Sequence, residues 1–170
     1  SPRVDLRNEI LENIGDVRHW AFSFNLKAPQ VRTEEVGALV RVRRKSDGGD
    51  YAERNARYDY ATLNHFADIS DGEDRRGVTL SNWDCAFVRL GESTPARLDT
   101  ESPQLNVLAG GQVDGARLGI RNQNGAAQFL QRFALRPHRG YDPAGAMRFA
   151  LEHQNPLVTT PVSGAAGSPL

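Results

Sequence analysis

Hydrophobic and polar residues alternate with a period of two along much of this chain, the pattern of strands buried on one face. The clearest run is Trp20 to Leu26, where Trp20, Phe22, Phe24 and Leu26 alternate with Ala21, Ser23 and Asn25. Pro29 closes it, and the next strand is expected from Val36 to Arg44, with Val36, Ala38, Val40 and Val42 on one face. Phe66 and Ile69 mark a strand at 64–70. The loop 71–77 has Gly72 and Gly77 near its ends and charge between them, which is turn chemistry. Val78 to Ser81 alternates, Asn82-Trp83-Asp84 reads as a turn, and Cys85 to Leu90 alternates again. Three strands in series predict a local antiparallel meander. Gln128 to Arg136 is a longer run, expected to be central in a sheet. Short strands are also expected at 58–63, 105–108 and 118–120, with Asn124-Gly125 as a hairpin turn.

Two segments break the period. Leu6, Ile10 and Leu11 fall near helical spacing, so residues 5–14 fit a short helix or a strand. Asp142-Pro143 is a helix start, with Asp as the N-cap and Pro in the first turn. Ala144, Met147, Ala150 and Leu151 form its expected apolar stripe, and Pro156 stops it. His153 in the last turn suits a helix C-terminus as a cation. The expected fold is all-β: a large antiparallel two-sheet (super)sandwich with a short C-terminal helix. Residues 1–16 read as a lead-in, 17–158 as the sandwich domain and 159–170 as an extended tail.

Composition narrows the function classes. Lys plus Arg and Asp plus Glu both total 21, so the net charge is zero. That removes the electrostatic case for nucleic acid or an anionic membrane. No apolar run approaches the ~20 residues of a membrane span. Cys85 is the single cysteine, so no internal disulfide staples the fold. The start Ser1-Pro2-Arg3 carries no signal-type apolar region and no Met, which reads as a piece of something longer and a cytoplasmic setting.

Two blocks carry a family resemblance. His65, Phe66, Ala67, Asp68, Ser70, Asp71, Gly72, Gly77, Val78, Leu80 and Asn82 form the first, and Phe133-Ala134-Leu135-Arg136-Pro137-His138-Arg139-Gly140 the second. An alanine-rich helix and Asn155-Pro156-Leu157 follow. In this order the blocks resemble the C-terminal β-domain of family 38 glycoside hydrolases, the α-mannosidases, across about residues 50–160. After Asn82 the chain reads Trp83-Asp84-Cys85-Ala86-Phe87 and lacks the Lys and Tyr-Gly common in that family. The resemblance implies a non-catalytic domain. Its partner would be the glycosidase's own catalytic domain, where the nucleophilic Asp and the zinc ligands lie. No catalytic residue, metal ligand or cofactor is then expected in this chain, and zinc belongs to the absent domain.

Individual residues can be weighed against that expectation. Asp68, Asp71, Glu73 and Asp74 supply acids of the type glycoside hydrolysis needs in pairs, but they sit in and beside a turn, where Asp and Gly serve the backbone. His65 and Asp68 are three apart on a strand, on opposite faces, and so do not converge on a metal. His65 therefore reads as a hydrogen-bonded structural residue, and His138, at a strand end, as a capping or interface residue. Cys85 has no basic neighbour in sequence and reads as a small buried hydrophobe. Arg41, Arg43, Arg44 and Lys45 read as a solvated face or a charge-guarded edge. Trp83 in its turn is either a sugar-stacking aromatic or a ring folded back on the sheet. Trp83, Asn82, Asp71, His65 and His138 are thus the candidates for carbohydrate or domain-interface contacts. An oligosaccharide and a second copy of the chain are further candidate partners. The rival classes are a free-standing carbohydrate-binding module and an interaction domain without sugar affinity.

Overall fold

The structure is a computed structural model that describes residues 2–12, 17–109 and 128–159. In chain order its strands are β1 (Val4–Ile10), β2 (His19–Ser23), β3 (Gln30–Glu35), β4 (Ala38–Arg41), β5 (Ala61–Thr62), β6 (Phe66–Ser70), β7 (Gly77–Asn82), β8 (Phe87–Leu90), β9 (Gln104–Leu108) and β10 (Phe129–His138). A helix, α1 (Pro143–Gln154), follows. The strands form two antiparallel sheets, one of six strands in the order β1-β10-β7-β6-β3-β4 and one of four in the order β2-β9-β8-β5. This is the all-β sandwich that the alternation predicts.

The main core lies between the sheets. Val31, Ile69, Leu80 and Phe133 from the larger sheet meet Val88, Leu90, Leu105 and Val107 from the smaller. Phe22 stacks edge-on against Phe133 at 5.3 Å, and the Trp20 indole donates to Gln131 Oε1. Trp20, Phe22, Phe24 and Leu26 all pack on this core, as their shared face predicts. The larger sheet buries its other face too. Phe66 is fully buried against Ala146 and Ala150 of α1. α1 therefore covers a second interior layer over β6, β7 and β10, where Asp68, Thr79 and Ser81 are enclosed.

That second layer explains most differences from the sequence reading. β3 is not expected from the pattern, because its outward residues Gln30, Arg32 and Glu34 are polar yet half-buried or buried, Arg32 against Asp74 and the Tyr141 ring and Glu34 against His65. Val36 and Gly37 are not strand residues; with φ of 47° and 84° they form the β3–β4 turn, and Val36 is 90% exposed. The helix buries Ala146, Phe149, Ala150 and His153, whereas Ala144 and Leu151 of the expected stripe face solvent. Its start is as expected: the Asp142 carboxylate accepts from the Ala144 N–H at 3.1 Å.

β6, β7 and β8 do not form one meander. β6 pairs with β7, but β8 crosses to the other sheet and pairs with β5 and β9. The crossing is made at 82–86, where Asn82 Oδ1 accepts from the Cys85 N–H at 2.9 Å and holds the chain in a bend. β10 lies between β1 and β7, flanked on both sides. Of the two readings for residues 5–14, the strand is found, and it belongs to the sandwich through its pairing with β10. The expected strand at 118–120, the Asn124-Gly125 turn and most of the tail lie outside the described residues.

Candidate functional site

The outer face of the larger sheet carries the chemistry-bearing side chains, in two regions at opposite ends of β7. The first is closed. Asp68 on β6 is fully buried. Its carboxylate accepts from Ser70 Oγ at 2.6 Å and Thr79 Oγ1 at 2.8 Å, and lies 2.8 Å from His138 Nε2 at the end of β10. The hydrogen bond to Asp68 raises the His138 pKa, against the effect of burial. Gly77 completes the fit, since a Cβ there would stand 2.6 Å from the Ile69 carbonyl oxygen and 2.7 Å from His138 Cε1.

Acid, imidazole and hydroxyl meet here, but not in a nucleophilic order. A triad sets the hydroxyl on the imidazole nitrogen away from the carboxylate. In this cluster both hydroxyls donate to Asp68 itself, and no hydroxyl bonds His138 Nδ1. Ser81 and His153 make a second buried pair, Oγ to Nδ1 at 2.8 Å. Burial, followed by the nearby Arg3 charge, lowers the His153 pKa. His153 is thus a neutral interior group that anchors α1 to β7, not a cation at the helix end.

The remaining acids of the turn are each engaged. The Asp71 carboxylate accepts from the backbone N–H groups of Glu73 at 3.3 Å and Arg75 at 2.8 Å. Burial is the largest single effect on Asp71 and raises its pKa, but these backbone bonds and Arg75 together lower it. Asp74 takes a two-pronged bond from Arg32 at 3.0 and 2.8 Å, and Arg32 lies 4.3 Å above the Tyr141 ring. Glu73 pairs with Arg75 at 2.9 Å. These are backbone and scaffold roles. A second cleft of about 480 Å³ opens beside them, lined by Phe24, Leu26, Val78 and Pro137; His138 is on its wall with Nε2 committed to Asp68.

The other end of β7 is open. A cleft of about 540 Å³ is lined by His65, Asn82, Trp83, Asp84, Gln154 and Asn155, among others. Three sequence candidates, Trp83, Asn82 and His65, thus come together, while Asp71 and His138 belong to the far end. His65 is anchored by Glu34: Nδ1 lies 2.6 Å from the carboxylate, and the backbone N–H donates to it at 3.1 Å. Burial raises the Glu34 pKa, but the Gly37 N–H and the two His65 bonds outweigh it and lower the value. Trp83 is 36% exposed, with the Arg132 guanidinium 3.6 Å from its ring centre and the His153 ring edge-on at 5.7 Å. Arg132 is fixed by Asp84, which accepts at 2.6 and 3.0 Å. The indole is therefore folded into a clamp rather than offered as a bare platform. Gln154 ties α1 to this end by donating to the carbonyls of His65, at 3.1 Å, and Asn82.

Sequence reasoning missed Glu34, Arg32, Tyr141 and Gln154. Arg132 had a signal, since it opposes Phe133 in the β10 alternation. Cys85 is buried, and burial followed by the Asp84 charge pushes its thiol up to about 12, which leaves it inert. The basic run is satisfied locally: Arg41 faces Asp50 at 3.6 Å, Arg43 donates to the Pro29 carbonyl and Arg44 lies over Tyr58. Among the described residues no group of His, Cys, Asp and Glu is placed to hold a metal ion, and no helix is long and apolar enough to cross a membrane.

No family model and no curated protein matches the chain. One end of β7 is a rigid polar knot with its key groups consumed. The other is an open surface with an aromatic–guanidinium clamp at its rim.

Proposed function

We propose that the chain is the non-catalytic C-terminal β-sandwich domain of an α-mannosidase-like glycoside hydrolase. Its work is to pack on the catalytic domain and shape the edge of the sugar site. One observation carries this reading. The two blocks that resemble the family are far apart in sequence, yet they interlock: β6, β7 and β10 lie side by side, and Asp68 of the first block bonds His138 of the second. The shared residues are therefore the ones the fold needs, and none is arranged to break a glycosidic bond. The open Trp83 cleft is the surface left for the catalytic domain or for an oligosaccharide held between the two. Zinc, in this reading, is held by the other domain. The clamp of Arg132 on Trp83 speaks against a free-standing sugar-binding module, which needs an open aromatic face.

The gene upstream of Ser1 tests the proposal. The expected finding is an in-frame α/β domain with paired Asp and His ligands for zinc. A frame that opens at Ser1 with no such domain overturns it. The isolated chain is also expected to release no product from an aryl α-mannoside with zinc present; zinc-dependent turnover would refute the non-catalytic role.

A further inference from the structure

The outer edge of β1 is the longest open strand edge among the described residues. β1 has seven residues, against five for β2, four for β4 and two for β5 at the other sheet edges. Natural edges are guarded by shortness, proline, charged side chains or a covering group. β4 has such a guard, because Asp50 accepts the Arg41 backbone N–H at 2.7 Å. β1 has a different character. Arg3, Asp5, Arg7 and Glu9 lie on one face, all exposed, with alternating sign. Along the strand they pair as Arg3–Asp5 at 2.7 Å and Arg7–Glu9 at 2.6 Å.

This charge order is self-complementary in one register. An antiparallel second copy centred on Leu6 sets Arg3 against Glu9 and Asp5 against Arg7. On the other face it sets Val4 against Asn8 and Leu6 against Leu6. Centring on Arg7 would oppose Arg7 to itself and Asp5 to Glu9. Centring on Asp5 would oppose Asp5 to itself and Arg3 to Arg7. Directly opposed unlike charges stabilise a strand pair and like charges destabilise it. Val4, 56% exposed, and the half-buried Leu6 would gain apolar cover in the favoured register.

We propose that the β1 edge is a self-association site. Two copies pair there, antiparallel and centred on Leu6, and join their larger sheets into one continuous sheet. The partner is a second copy of this chain, recognised by main-chain hydrogen bonds and the alternating charge ladder. The inference rests on the fold and is independent of the glycosidase reading. The contact is small, so association is of the weak class and falls with salt.

Charge inversion tests it on the whole chain. Asp5→Arg/Glu9→Arg makes the ladder all basic, and Arg3→Glu/Arg7→Glu makes it all acidic. In sedimentation equilibrium at about 100 µM and low salt, the unaltered chain is expected to dimerise. Each variant alone is expected to weaken dimerisation more than about tenfold, and an equal mixture of the two to recover it within about threefold. A monomeric unaltered chain overturns the proposal, as does a dimer that survives in both variants or a mixture that fails to recover. A second pair of variants reads register without altering charge. A Val4→Cys chain mixed with an Asn8→Cys chain is expected to cross-link on oxidation far more than either chain alone. Equal cross-linking in all three samples overturns the stated register.

Discussion

The two ends of β7 use the same residue types for different ends. At the Asp68 end, acid, imidazole and hydroxyls close on one another and leave little to offer a ligand. Both ends border a cleft, but His138 meets the one of about 480 Å³ with its Nε2 already committed to Asp68, whereas His65, Asn82, Trp83 and Asp84 line the one of about 540 Å³ at the Trp83 end. The difference comes from burial. A carboxylate with no solvent must collect donors, because an unpaired buried charge costs several kcal/mol. Asp84 also accepts three bonds, all from Arg132, but its side chain keeps 18% exposure and that of Arg132 30%, so solvent shares the task. Residue chemistry alone therefore does not mark a site; the degree to which the fold has already consumed that chemistry does.

The largest effect is expected where the knot is cut. Asp68→Ala leaves Ser70, Thr79 and His138 without their shared acceptor. The expected loss is about 3–5 kcal/mol in urea unfolding, the cost of breaking a buried pair from one side. Asp84→Ala at the open end is expected to cost less than about 1 kcal/mol. Equal losses at the two positions would dissolve the contrast between a consumed and an open region.

This contrast bears on what could be read from the sequence. β2, β6, β7, β9 and β10 were legible because their inward residues face the core between the sheets, where apolar means buried. β3 was hidden because Arg32 and Glu34 are enclosed polar residues, paired with Asp74 and His65. The helix stripe misled for the same reason: His153 counts as an interior residue there, and Leu151 does not. Candidate residues were legible as types, since His65, His138 and Trp83 stand out in the chain. Their partners were not. Glu34 is 31 residues from His65, and Asp68 is 70 residues from His138, so spacing carries no trace of either contact.

A smaller effect separates His138, at the end of β10, from His153, in the last turn of α1. The His138 pKa is raised, so its charged form is favoured by folding. That stability is fully present below the ordinary value near 6.5 and is lost as pH rises through the folded value. The His153 pKa is lowered, so folding favours its neutral form. Its contribution is present above the ordinary value near 6.5 and is lost as pH falls from there toward the folded value. Urea midpoints across this range should therefore lose their alkaline fall in His138→Gln and their acid fall in His153→Gln. NMR titration of the two rings should show one displaced upward and the other downward. Two rings displaced in the same direction would contradict the assignment of a charged knot at one end and a neutral anchor at the other.

A modest effect is expected at Trp83, and it sharpens the comparison most. Its ring sits 3.6 Å from Arg132, and such a contact at a part-exposed site contributes about 0.5–1 kcal/mol. Trp83→Ala should therefore lower stability by about 1 kcal/mol. Sugar binding gives the decisive readout. Trp20 and Trp83 are the two tryptophans, and a Trp20→Phe background isolates the emission of Trp83. Mannose is expected to leave that emission unchanged while Arg132 covers the ring. Removing the cover with Arg132→Ala exposes the face and gives the indole its chance to stack. Quenching by mannose in the unaltered clamp would show that the open end binds sugar by itself, and that the guanidinium is part of a sugar site rather than a lid on one.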